Sequence, residues 1–154
     1  MENISHEKSV RVFIASPFFD EEQIDRVSRL EQALLENPYV ADFFSARYHQ
    51  FEHLTFGTDM WRKVVFENDL RFLRRADVVV AIHDFEDMSV DSGTAFEIGY
   101  AYAMQKPILL IKEKDAAINL MLAESLHAYL TNVEEVATYD FFRMPSSRYE
   151  GLII

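Results

Sequence analysis

The chain has 154 residues, 49% of them hydrophobic and 27% charged, an ordinary globular composition that excludes wholesale disorder and suits one core rather than two. Its 26 acidic residues against 15 basic ones leave a formal net charge of −11, which repels a phosphate backbone and argues against nucleic acid as a partner. With no cysteine, disulfides, thiolate catalysis and cysteine-based zinc sites are excluded, and His6, His49, His53, His83 and His127 show no HExxH spacing, so a bound metal is not expected.

Residues 1–9 read as a polar leader without the apolar stretch of a secretory signal, and no run approaches the ~18 apolar residues of a membrane helix. A cytoplasmic protein without a membrane partner is therefore expected, folded as one domain over 10–154. Val10 to Ala15 is β-rich and stops at Ser16-Pro17, since proline cannot continue a ladder. Asp20-Glu21-Glu22 then offers an N-cap and a negative first turn to a helix with Ile24, Val27, Leu30, Leu34 and Leu35 at helical spacing, ending near Asn37-Pro38.

A weaker strand is predicted over 40–46, followed by a polar, aromatic loop over 47–57 of a length that is often functional. A helix over 58–74 leads into Asp77 to His83, whose continuous β-branched run predicts a central strand covered on both faces. An acidic loop at 84–90, a helix over 92–105 and a strand over 106–111 come next. A short helix over 117–126, a strand-like piece at 127–130 and a tail ending Gly151-Leu152-Ile153-Ile154 complete the chain. The alternation predicts an α/β fold: a doubly wound, mostly parallel five-stranded sheet with helices on both faces and ligands beyond the carboxyl ends of the strands. The loops beginning at Ser16, Asp84 and Lys112 fall on that edge.

The segment Asp91-Ser92-Gly93-Thr94-Ala95-Phe96-Glu97 sits at the mouth of the central strand, with Gly93 small enough to admit a close approach. Glu97, about two turns into its helix, is either a solvated residue, the usual state of helical glutamates, or a carboxylate in a partly dry pocket. Asp91 makes the question one of paired carboxyls, in which one is ionised as nucleophile and another protonated as acid. A helix N-terminus favours the charged form of Asp91, which works against proton donation. Asp69 reads as a surface acid paired with Arg62, Lys63 or the arginines of 71–75, or as a third acid of the same site. Asn119 suits a ligand hydroxyl and helix capping equally.

The first loop, Ser16-Pro17-Phe18-Phe19-Asp20, offers rings, a hydroxyl and an acid in place of the glycines and cations of a phosphate site, and neither a Walker A sequence nor GxGxxG occurs. Phe13, Phe18 and Phe19 would suit stacking on a heterocycle, although rings beside a strand are more often core.

Four motifs, Phe13-Ile14-Ala15-Ser16-Pro17-Phe18, Asn68-Asp69-Leu70, Asp91 to Gly99 and Ile118-Asn119-Leu120-Met121, occur in the order and at about the spacing of the nucleoside 2-deoxyribosyltransferases, and the chain resembles that family from Val10 to its C-terminus. The resemblance implies a flavodoxin-like fold and cofactor-free, ping-pong transfer of 2-deoxyribose between purine or pyrimidine bases, with nucleosides and free nucleobases as partners. It implies Glu97 as a nucleophile held ionised under the sugar, and Asp91 and Asp69 as acids that contact and protonate the departing base. Phe13, Ala15, Ser16, Phe18, Phe19 and Gly93 would line the substrate. Asn119 and Met121 would reach a neighbouring subunit's site within a homo-oligomer, a hexamer built of dimers, with the carboxylate of Ile154 near a site.

Two positions depart from the family pattern. Phe13 stands where many members carry a Tyr able to hydrogen-bond the nucleophile, and Ala15 stands where Gly is usual. Two other readings compete: an N-glycoside hydrolase acting on nucleosides or nucleotides, and a non-catalytic nucleoside-binding module on the same fold.

Overall fold

A computed structural model describes residues 7–154, so the first six residues of the expected leader lie outside the described region. Five parallel strands form one sheet in the order β2-β1-β3-β4-β5. They are β1 (Val10–Ala15), β2 (Val40–Phe44), β3 (Val78–Ile82), β4 (Ile108–Ile111) and β5 (Ala128–Leu130). Helices α1 (Glu21–Glu36), α2 (Asp59–Arg75), α3 (Ser92–Ala103) and α4 (Leu120–Ser125) make the crossovers. The direction of winding reverses between β1 and β3, whose register runs from Val12 opposite Val78 to Ala15 opposite Ala81. That reversal is where a doubly wound sheet opens a crevice at its carboxyl edge.

Side-chain alternation divides the interior into two layers. Val12, Ile14, Val78, Val80 and Ile82 pack against Val27, Leu30 and Leu34 of α1. Phe13, Ala15, Val79 and Ala81 pack on the other face, beneath α2, α3 and α4. Every residue of β3 is buried, as its unbroken apolar run requires. Ile24 and Leu35, expected on the buried stripe of α1, are exposed, and Gln23, Arg26 and Glu31 are buried in their stead. Polar pairing permits this: Arg26 binds Glu22 and Glu113, while Glu31 accepts hydrogen bonds from Ser45 and Arg47.

The expected helix over 117–126 is shorter, because Ile118 is held as a bridge to Ile153 and Asn119 is already the N-cap. Part of the expected tail, Val133–Thr138, is a 3-10 segment against α1, where the buried Asn37 amide donates to the carbonyls of Val136 and Tyr139 at 2.7 and 2.9 Å. Among the described residues no helix is long and apolar enough to cross a membrane.

Candidate active site

Each acid singled out in the sequence is placed by local capping or by helical phase. Asp91 is the N-cap of α3, with Oδ2 accepting from the Thr94 amide at 3.0 Å and from its hydroxyl at 3.3 Å. Gly93 makes room for this turn, since a Cβ there would stand 3.1 Å from Asp91 Oδ2. Glu97 follows on α3 and is half-buried, so the solvated reading does not hold. Its carboxyl has no hydrogen-bond or ion-pair partner among the described residues.

Asp69 comes from α2, which touches α3 through Phe66 and Phe96 and through a hydrogen bond from Arg74 Nε to the Tyr100 hydroxyl. The surface ion pair considered for Asp69 is absent: Arg71 donates to Asn68, Arg62 pairs with Asp59, and Asp69 Oδ1 is buried without a partner.

Three carboxyls thus share one region without a cation. Burial, followed by the negative charges of Asp69 and Asp91, pushes the Glu97 carboxyl well above the usual carboxylate range. Burial alone pushes Asp69 up to about 6. No donor approaches Glu97 and Phe13 has no hydroxyl to offer, so nothing in its surroundings offsets the burial and the two negative charges. The expectation that this carboxyl is held ionised thus runs against the direction in which its environment pushes it.

The predicted lining residues separate into groups. Phe13 and Ala15 have no exposed surface; Phe13 stacks on Phe44 with ring centroids 5.1 Å apart. They form the floor beneath α2 and α3, so the expectation that they touch substrate is corrected: β1 is flanked by β2 and β3, and Leu70, Leu73 and Ile98 pack in the same layer over it. Ser16 is half-buried just past the end of β1. Phe18 packs on the α1 side of the sheet, and the exposed Phe19 meets Phe85 edge-on at 6.2 Å.

Asn119 and Met121 do not join Glu97 within one chain. They line a groove of about 570 Å³ with Ala95, Ile98, Gly99 and Tyr102, the side of α3 opposite Glu97 at 100° per residue. Asn119 also caps α4, its Oδ1 accepting from the Met121 amide at 2.9 Å. The last residue reaches the same corner, where the Ile154 carbonyl oxygen accepts from the Leu120 amide.

Two neighbours were not singled out from the sequence. Asn68 is buried with Oδ1 tied to Arg71 and Nδ2 unpaired, a signal available only through its place in the Asn68-Asp69-Leu70 motif. His49 packs between Phe44 and Phe72 at 4.5 and 5.2 Å, its pKa lowered by burial and by the charge of Arg71. Its place in the aromatic 47–57 loop was the only hint.

A doubly wound sheet that gathers unneutralised carboxyls beside its reversal point defines an α/β enzyme working through carboxyl chemistry. Comparison with known proteins gives the family. Residues 12–135 match the family model described as nucleoside 2-deoxyribosyltransferase. A nucleoside deoxyribosyltransferase of Limosilactobacillus fermentum is 32% identical over 143 residues, 84% of either chain. The structure of a 2-deoxyribosyltransferase from Bacillus psychrosaccharolyticus superposes with a TM-score of 0.82 at 40% identity, covering 90% of this chain and 98% of that one. A Thermofilum pendens protein bearing the name of a 2′-deoxynucleoside 5′-phosphate N-hydrolase is 30% identical over 116 residues, 73% of this chain and 76% of its own. The chain belongs to the nucleoside 2-deoxyribosyltransferase family.

Proposed function

We propose that this protein transfers 2-deoxyribose between purine or pyrimidine bases by a retaining, two-step mechanism in which Glu97 is the nucleophile. The observation that carries the reading is the half-buried, donor-free Glu97 carboxyl under the electrostatic influence of Asp69 and Asp91.

In the first step a Glu97 carboxylate oxygen bonds to the anomeric carbon as the C–N bond breaks, and the bond's electron pair leaves with the base, which takes a proton from Asp69. Positive charge developing on the sugar favours the Glu97 anion at the moment it is needed, so the proton shared in the free protein moves to the Asp69 side. Asp91, with one oxygen committed to capping α3, offers the other to the base. In the second step an incoming base attacks the same carbon, returns its proton to Asp69 and releases Glu97. Two inversions give net retention.

The chemistry asks for no metal or organic cofactor. Because Asn119, Met121 and the chain end lie across α3 from Glu97, they serve a neighbouring copy's site in this reading, within a dimer-based homo-oligomer of hexameric size in the cytoplasm.

Reaction with a 2-fluoro-2-deoxynucleoside followed by intact-mass and peptide analysis tests the mechanism: a sugar adduct on the peptide carrying Glu97 is expected, and an adduct elsewhere, or none, removes it. The resemblance to the Thermofilum protein supports a second reading, hydrolysis with water as acceptor. Incubating a deoxynucleoside with and without a second free base separates the two, since transfer yields a new nucleoside and hydrolysis only free sugar.

A further inference from the structure

Asn119 stands at the threshold of α4, and the residues on both sides of it are held by a segment that arrives from far along the chain. Ile153 forms a parallel bridge with Ile118. The Ile118 amide donates to the Leu152 carbonyl at 3.0 Å, the Ile154 amide to the Ile118 carbonyl at 3.1 Å, and the Leu120 amide to the Ile154 carbonyl at 2.9 Å. Asn119 is thus clamped between two tethered neighbours. Its Oδ1 is committed to the Met121 amide, which fixes the carboxamide and leaves Nδ2 as a donor with no partner among the described residues. Helix α4 has only six residues, too few to hold its cap in place by helical cooperativity, so the position of Asn119 depends on what grips the backbone beside it.

The gripping segment is not held by burial of its own apolar side chains, since Leu152 and Ile154 are 76% and 70% exposed. Its anchor is Tyr149. The ring stands edge-on to Tyr129 of β5 with centroids 5.0 Å apart, and the buried Lys112 ammonium lies 5.5 Å over its face. The Tyr149 hydroxyl donates to the Leu152 carbonyl at 3.0 Å, the same oxygen that receives the Ile118 amide. Gly151 makes this fold-back possible, because a Cβ there would stand 2.6 Å from Tyr149 Cζ, well inside van der Waals contact. Further back, Ser147 runs along the outer edge of β5, its Oγ accepting from the Tyr129 amide at 2.8 Å and its amide donating to the His127 carbonyl. The segment therefore connects the last strand of the sheet to the residues that carry Asn119.

We propose that residues 149–154 are a positioning strap for Asn119, with Tyr149 as its anchor and Gly151 as the clearance the anchor needs. Held this way, Asn119 presents Nδ2 to a sugar hydroxyl in the site it serves, and the strap governs affinity for the deoxynucleoside while bond exchange at Glu97 proceeds at its own rate. The inference rests on the reading of Asn119 as a substrate-binding residue. It goes beyond that reading by giving a role to Tyr149, Gly151 and the Ile154 amide, which act through Asn119.

Amide hydrogen exchange reads the strap without reference to activity. In Tyr149→Phe, which removes the hydroxyl alone, the Ile118 and Leu120 amides are expected to exchange about fivefold faster while the amides of β3 keep their wild-type rates. Unchanged exchange at both amides overturns the anchor. Base-exchange kinetics read the consequence. Asn119→Ala is expected to raise the deoxynucleoside KM about tenfold, with kcat within about twofold of wild type. Gly151→Ala combined with Ile154→Pro, which pushes the Tyr149 ring aside and deletes a bridging donor, should raise KM about as far with the same small effect on kcat. All three changes together should add less than about twofold to either effect, because both act through one side chain. Tyr149→Phe completes the same cycle should the Gly151→Ala, Ile154→Pro protein fail to fold. Full multiplication of the effects, or a wild-type KM in the strap variants, overturns the proposal. A wild-type KM in Asn119→Ala removes Asn119 from substrate binding, and the strap's role falls with it.

Discussion

Burial, and after it the Asp69 carboxylate on α2, raises the proton affinity of Glu97 on α3, and neither carboxyl meets a cation or a hydrogen-bond donor among the described residues. An acid pair left in this state costs stability, and catalysis gives it a reason to persist. Relief of that cost and loss of activity should therefore come together when either acid is neutralised.

Glu97→Gln should abolish base exchange, by about a thousandfold or more, while raising the melting temperature at neutral pH. The sign follows from the raised pKa: the folded state resists ionisation of Glu97, so its cost is present above the unfolded carboxylate range and vanishes in acid. Exchange assays paired with thermal melts at pH 7 check it, and a variant that is inactive and also less stable contradicts it.

Asp69→Asn separates the effect by pH. The unfolded value is 3.8 and the folded one about 6, so the charged form is disfavoured in the folded state progressively between those values and fully above them. The substitution should stabilise the protein by about 1–3 kcal/mol at pH 7 and by almost nothing at pH 3.5, as read from denaturant midpoints. In wild type kcat/KM should be bell-shaped in pH, both limbs belonging to the coupled acids, and in the Asn variant the alkaline limb should disappear.

Asp91 carries two roles that different substitutions resolve. Asp91→Asn keeps a capping oxygen for the Thr94 amide and should melt within a degree or two of wild type, whereas Asp91→Ala should lose about 1 kcal/mol. If Asp91 contacts the base, both variants should slow exchange alike. An Asn variant with full activity would confine Asp91 to capping.

Phe13→Tyr would supply the hydroxyl found in many family members. Because Phe13 has no exposed surface and stacks on Phe44, the added oxygen is tolerable only if a carboxyl receives it. The expected result is faster exchange and a Glu97-dependent limb of the pH profile moved toward acid. A destabilised protein with an unshifted profile would show that the floor does not reach Glu97.

The strands show how far a linear reading extends. The run Val78 to Ile82 is apolar at every position, which only a strand covered on both faces accommodates, and the structure buries all of it. Asp20 and Asn119 were legible as caps because a side-chain oxygen two or three residues ahead of unpaired amides is a local arrangement. Ile24, Leu35 and the shortened α4 were misjudged because partners far along the chain, Glu113 for Arg26 and Ile153 for Ile118, decide which side of a helix is covered and where it begins.

By itself the sequence determined the winding of the sheet and the order of its elements and singled out the three acids, since these rest on periodicity, capping chemistry and motif order. Only the tertiary structure decided that Phe13 and Ala15 lie beneath the site, that Asn119 and Met121 turn away from Glu97, and that Glu97 holds its proton more tightly than an ordinary glutamate. Burial and charge act through space, and chain order does not record which residues α2 and α3 bring together.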